Sequence, residues 1–137
     1  MVLPARESAM RRILVSFLIC FIVVQAHAAP PSAPKYVVFF QEWSANLDAA
    51  AQAVISHAAD YAKSHAGLSV HVNAFADPTG SRKANILLTE LRAQMVMDRM
   101  HADGISEHRL IGYGHGSVHF ALSSQESRRV EISFGGR

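Results

Sequence analysis

The segment LSVHVNAFADPTGSRKANILLTELRA, residues 68–93, decides how this chain folds. Leu68, Val70, Val72 and Ala74 alternate with Ser69, His71 and Asn73, the period-two pattern of a strand with one buried and one wetter face. Asp77-Pro78-Thr79-Gly80 then places an Asx side chain, a fixed φ and a glycine in one turn. Beyond it the apolar spacing becomes helical. Thr89 reads as the cap, Leu91, Met95, Val96 and Met100 as the inward side, and Gly104 as the stop.

Outward from this strand-turn-helix the same two periods recur. Tyr36 to Phe40 is a continuous apolar run, the pattern of a strand covered on both faces. Leu47, Ala51, Val54, Ala58 and Tyr61 stand at helical spacing behind Asp48 as N-cap. Arg109 to Tyr113 predicts a third strand that runs into the glycine-broken Gly112-Tyr113-Gly114-His115-Gly116, where the glycines serve tight turns and close backbone approach. The last strand alternates Val130, Ile132 and Phe134 with Arg129, Glu131 and Ser133. The order β-α-β-α-β-β predicts an α/β (α+β) two-layer sandwich: a mixed four-stranded sheet with two helices packed on one face, spanning residues 36–137.

Ahead of it, Arg11 and Arg12 precede an apolar run from Ile13 to Val24, and Ala26-His27-Ala28 follows. This is the layout of a secretory signal peptide over residues 1–28, cleaved after Ala28, with Met10 an alternative start. The run is shorter than the roughly 20 residues that span a bilayer, so a retained anchor is the lesser reading. The single cysteine, Cys20, lies inside it without the small residue before and polar stretch after that lipidation needs. Residues 29–35, Ala-Pro-Pro-Ser-Ala-Pro-Lys, read as an extended linker.

Of 13 Lys and Arg and 11 Asp and Glu, Arg6, Arg11, Arg12 and Glu7 precede Ala28, which leaves ten of each sign beyond it. The formal +2 therefore belongs to the leader, and no basic surplus remains to bind nucleic acid. Disulfides are not expected to staple the domain, and membrane insertion is not expected after cleavage.

Ala74-Phe75-Ala76-Asp77-Pro78-Thr79-Gly80-Ser81, followed by Asn85, Leu88-Thr89 and Arg92-Ala93, resembles the OmpA-like peptidoglycan-binding domain. The family's motif runs G-h-T-D-x-x-G-S, a spacer, then N-x-x-L-S-x-x-R-A. The spacing is kept from Asp77 to Ala93, and the likeness continues through Gly104-Ile105, Arg109, Gly114, Gly116 and Arg128-Arg129-Val130-Glu131-Ile132. The resemblance implies a non-enzymatic, periplasmic module of a Gram-negative cell envelope. It would bind peptidoglycan non-covalently through the free amino-acid end of meso-diaminopimelate. It also implies that Asp77 receives the ammonium and Arg92 the carboxylate, with Thr79 and Asn85 shaping the loop or adding contacts. Ala74, Phe75 and Ala76 depart from the family's glycine, histidine and threonine, and Ser127, Ser124 and Phe120 from its Asn, Arg and Pro. Trp43 stands where many relatives carry Asp or Asn, and reads as a wall of the pocket or, the favoured reading, as cover for the core.

The residues themselves agree with a zwitterionic ligand. Asp77 sits just beyond a strand end, and Arg92, fifteen positions on, is expected in the first turn of the next helix. A carboxylate suits an ammonium and a guanidinium fork suits a carboxylate. The bland alternative is an ion pair between the two. Arg128 and Arg129 point to opposite faces of a strand, so one buttresses the sheet and the other stays solvated.

Other chemistries have less support. His115 and His119 are four apart, but no cysteine or HExxH accompanies them, so neither metal nor cofactor is expected. The remaining histidines read as surface groups, and Met95, Met97 and Met100 as core packing. The glycine triplet lacks a P-loop lysine, and no G-x-S-x-G elbow is present. The alternatives to peptidoglycan binding are an adaptor that docks other envelope proteins after losing its ligand, and a small cell-wall hydrolase.

Overall fold

The computed structural model describes residues 32–117 and 123–136. The leader with Met10 and Cys20, residues 29–31 of the linker, and His119 and Phe120 lie outside them. The elements are β1 (Tyr36–Phe39), α1 (Ala49–Ser64), β2 (Ser69–Ala76), α2 (Arg82–Ala102), a 3-10 turn (Glu107–Arg109), β3 (Leu110–Ser117), α3 (Ser124–Ser127) and β4 (Arg129–Gly135). The sheet order is β1-β4-β2-β3. β2 runs parallel to β3 and antiparallel to β4, which is antiparallel to β1, so the expected mixed four-stranded sheet is present.

Registers Ala74↔Val130, Val72↔Ile132 and Val38↔Val130 bring the apolar alternates of three strands onto one face. That face buries Val38, Val70, Val72, Ala74, Val130 and Ile132 in one core with Ile55, Ala58 and Ala59 of α1 and Ala93, Val96 and Met100 of α2. Each fully buried Val, Ile or Met is worth about 1.5–3 kcal/mol, and this layer drives the fold. The opposite face is open. On it Phe75 stacks on His115 at 4.8 Å, Arg129 lies over Phe75 at 4.5 Å, and Glu131 bridges Arg129 and Lys35. β1 is an edge strand with Phe39 on the open face, so it is not covered on both sides as its apolar run suggested.

Asp48 caps α1 as expected, accepting from the Ala51 N–H at 2.7 Å. α2 begins earlier than its apolar spacing implied. Ser81, not Thr89, is its N-cap and accepts from the Ala84 N–H, which puts Arg92 in the middle of the helix. The cause is the inward face itself: its first half is Asn85, Thr89 and Arg92, buried polar groups that carry no hydropathy signal. Leu91, expected inside, is exposed. Of the methionines, Met100 is buried and Met97 packs on the core.

The glycine segment is strand, not a break. A Cβ on Gly114 would lie 2.4 Å from the Glu90 nitrogen, and one on Gly112 2.6 Å from the Met97 methyl. Gly114 lets α2 rest on β3 at backbone distance, and Gly112 makes room for the Met97 side chain. Arg109 lies in the 3-10 turn rather than in a strand. It donates to the carbonyls of Ala62, His65 and Leu68, tying the C-terminal end of α1 to the start of β2. The third helix, α3, escaped the sequence pattern because it is a single turn, capped by Ser123.

Candidate functional site

Three stretches far apart in sequence meet at one end of the sheet: the loop after β1, the turn between β2 and α2, and the approach to β4. Asp77 follows the last residue of β2 and is 4% exposed. Its Oδ1 accepts from the Thr79 N–H at 3.0 Å and from the Thr79 hydroxyl, closing an Asx turn. Asn85, one turn into α2, donates to the carbonyls of Thr79 at 2.8 Å and Asp77 at 3.4 Å. Thr79 and Asn85 thus shape the loop. Gly80 completes the turn at φ +85°, a conformation that favours glycine.

The second Asp77 oxygen, Oδ2, accepts from Arg128 Nη1 at 3.0 Å. Burial on its own raises the Asp77 pKa, but the bonds from Thr79 and Arg128 and the Arg128 charge outweigh it and hold the carboxyl below its usual value. Arg128 is therefore the ion-pair partner of Asp77, which corrects its reading as a buttress or a solvated side chain. The register explains why: Ala74 pairs with Val130, so the residue opposite the end of β2 is Arg128. Its neighbour Arg129 is likewise engaged, with Glu131 at 2.8 Å.

Arg92 is fully buried and reaches the cleft from below. Nε donates to the Ser44 carbonyl at 2.8 Å, Nη2 to Gln41 at 2.9 Å, and Nη1 to Phe75 at a long 3.4 Å. The guanidinium lies over the Phe40 ring at 5.1 Å. Burial pushes its pKa down to about 10, helped by the Arg128 charge and offset by Asp77, so it stays charged at neutral pH. Among the described residues it forms no salt bridge, and the ion pair considered for Asp77 and Arg92 is not made.

Between these groups is a narrow open cleft, with about 10 Å³ of room for water-sized groups, lined by Asp77, Thr79, Asn85, Arg92, Arg128 and, at its mouth, the exposed Glu42 and Trp43. Trp43 follows the less favoured of its two readings. It walls the cleft, half exposed and at φ +50°, instead of covering the core. The four residues expected from the sequence, Asp77, Thr79, Asn85 and Arg92, thus line one cleft, and strand pairing and the loop path add Arg128 and Glu42, which the sequence reading did not include. His115, in β3, hydrogen-bonds Asn73 at 2.8 Å, and the described residues hold no cluster of three or more metal-ligating side chains.

Comparison with known proteins gives this geometry a family. Residues 39–131 match the model of the OmpA family. The chain is 33% identical over 82 residues to a peptidoglycan-associated lipoprotein of Legionella pneumophila, an alignment that covers 56% of this chain and 47% of the relative. It thus spans about half the length of that protein. Among solved structures, the peptidoglycan-associated lipoprotein of Burkholderia pseudomallei superposes with a TM-score of 0.67 at 22% identity, covering 73% of this chain and 90% of that one. The OmpA-like domain of FopA1 from Francisella tularensis gives 0.63 at 20% identity over 75% of each chain. The periplasmic domain of Helicobacter pylori MotB gives 0.65 at 20% identity over 78% of each. With a family model covering more than half its residues and a shared two-layer fold, this chain belongs to the OmpA family.

Proposed function

We propose that this chain is an exported, non-enzymatic periplasmic module that binds peptidoglycan non-covalently, taking the free amino-acid end of diaminopimelate in the stem peptide. Residues 1–28 act as its signal peptide and 36–137 as the binding domain. The observation that carries this reading is a buried guanidinium, Arg92, with no carboxylate partner among the described residues, on the floor of a cleft that also holds the Asp77 carboxylate. A buried cation that hydrogen-bonds only to neutral carbonyls leaves its charge available to an anion, and a ligand carboxylate supplies it. Asp77 retains one acceptor position beside it for an ammonium. Family membership and the likeness to peptidoglycan-associated lipoproteins support the same ligand.

Sedimentation with insoluble diaminopimelate-type sacculi tests it. The wild type should pellet with the wall, and Asp77→Ala or Arg92→Ala should stay in solution, at a cost of about 2–5 kcal/mol in affinity. Thermal unfolding of both variants must show that they are folded. Equal pelleting of all three sinks the site. Muropeptides released over time would indicate the hydrolase instead.

A further inference from the structure

The charges around the cleft do not balance as a simple carboxylate and guanidinium pair would. Asp77 is committed internally: one oxygen serves Thr79 and the other Arg128. Its negative charge is matched by Arg128 before any ligand arrives, and Arg92 adds a second positive charge behind it. The inner cleft thus carries two cations to one anion, which suits a carboxylate and disfavours an ammonium. A zwitterion needs another negative group, and the other carboxylate that lines the cleft is Glu42. Glu42 lines the mouth, is exposed, and has neither an ion pair nor a hydrogen bond among the described residues.

Next to it, Trp43 is held in an unusual way. Its backbone is at φ +50°, a region that bulky L-residues rarely occupy. Its ring edge rests against Gly80, where a Cβ would fall 2.2 Å from Cη2 and 2.7 Å from Cζ2. The fold therefore accepts backbone strain and reserves a glycine to stand this ring at the cleft wall, while leaving it 52% exposed. An indole ring and an unpaired carboxylate that line one cleft can together receive a cation: the indole is the strongest of the aromatic cation acceptors, and the carboxylate adds a charge-assisted hydrogen bond.

Building on the reading given under Proposed function, we infer that Glu42 and Trp43 form a cation-receiving subsite that, with the remaining acceptor position of Asp77, takes the ammonium of the ligand whose carboxylate Arg92 holds. The subsite makes the cleft selective for a free, charged amino group. An amino-acid end that is acylated, or a plain carboxylate, fits the inner half alone.

Two soluble probes test this: a stem tripeptide ending in meso-diaminopimelate, and the same tripeptide with the distal amino group acetylated. Titrations by calorimetry compare wild type with Glu42→Gln, Trp43→Ala and Asp77→Ala, each first checked for cooperative thermal unfolding. The chain has one tryptophan, so a change in its fluorescence on binding reports directly on position 43. Wild type should favour the free amine by roughly tenfold or more, the worth of one charge-assisted hydrogen bond. Glu42→Gln and Trp43→Ala should each lose most of that preference and bind the acetylated probe as wild type does. If both variants keep the full preference while Asp77→Ala loses binding, the subsite is overturned and the site itself stands. If wild type binds neither probe, the reading of the site fails and takes the subsite with it.

Discussion

At the scale of single residues, Asp77 and Arg128 show how a side chain becomes part of a site through its partner. Their side chains are 5% and 14% exposed, so each is desolvated and depends on the other. Removing one leaves a nearly buried charge unmatched, an effect of about 3 kcal/mol. Arg128→Ala should therefore lower the free energy of urea unfolding by about that amount. In a double-mutant cycle with Asp77→Ala, the combined loss should fall well short of the sum, because the second truncation removes a charge already left alone. Additive losses would mean that the 3.0 Å contact carries no coupling. Thr89 gives a second case. It is fully buried, donates to the Ile86 carbonyl and accepts from the Gly116 N–H at 2.9 Å. Thr89→Val keeps the shape but orphans that N–H, and should cost about 1–3 kcal/mol in the same assay.

At the scale of elements, the contact between α2 and β3 positions Arg92. Gly114 sits where a Cβ would meet the Glu90 nitrogen at 2.4 Å and the Thr89 carbonyl carbon at 2.8 Å. These are helix backbone atoms, which cannot rotate aside as a side chain would. Gly114→Ala should therefore push α2 outward and lower stability by about 1–3 kcal/mol. It should weaken sacculus binding too, because Arg92 rides on the displaced helix; intact binding at reduced stability would separate the packing from the site. This contact also marks what the sequence made legible. The alternation in β2 and β4 and the cap at Asp48 were readable because apolar burial and capping are local signals. The start of α2 was not, since Asn85, Thr89 and Arg92 turn its inward face polar where it faces the cleft. For Gly112 and Gly114 the sequence offered turns and close backbone approach together; the second role holds, and the helix that approaches is invisible to a local pattern. Asp77, Thr79, Asn85 and Arg92 share one continuous motif, so their meeting in one cleft was legible. Arg128 and Glu42 enter the cleft only through sheet pairing and the path of a loop, and the same path decides between the two readings of Trp43.

At the scale of the whole molecule, the cleft exists only when residues near 41–44, 75–92 and 128 are brought together, so it shares the stability of the fold. Two carboxylates at different places on the sheet link that stability to pH. Burial tends to raise the pKa of Glu131, but hydrogen bonds from Arg129 and Lys35 and their charges outweigh it and hold the carboxyl below its usual value. Asp77 is held low by its own partners in the same way. A carboxyl whose pKa is depressed on folding takes up a proton more readily in the unfolded chain. Each group therefore contributes stability that is fully present above the ordinary carboxylate range, about 3.9–4.3, and is lost as pH falls through its folded value. The urea midpoint should hold steady from about pH 7 to 5 with respect to these two groups, then drop as pH falls below about 4. Glu131→Gln should be less stable than wild type at pH 7, and the gap should close in acid, where wild type has lost the same charge. A gap that persists unchanged at pH 3 would mean that Glu131 acts through packing alone. Because Asp77 titrates in the same direction inside the cleft, affinity for sacculi should fall over that acid range as well, and Glu131→Gln should leave that fall in place.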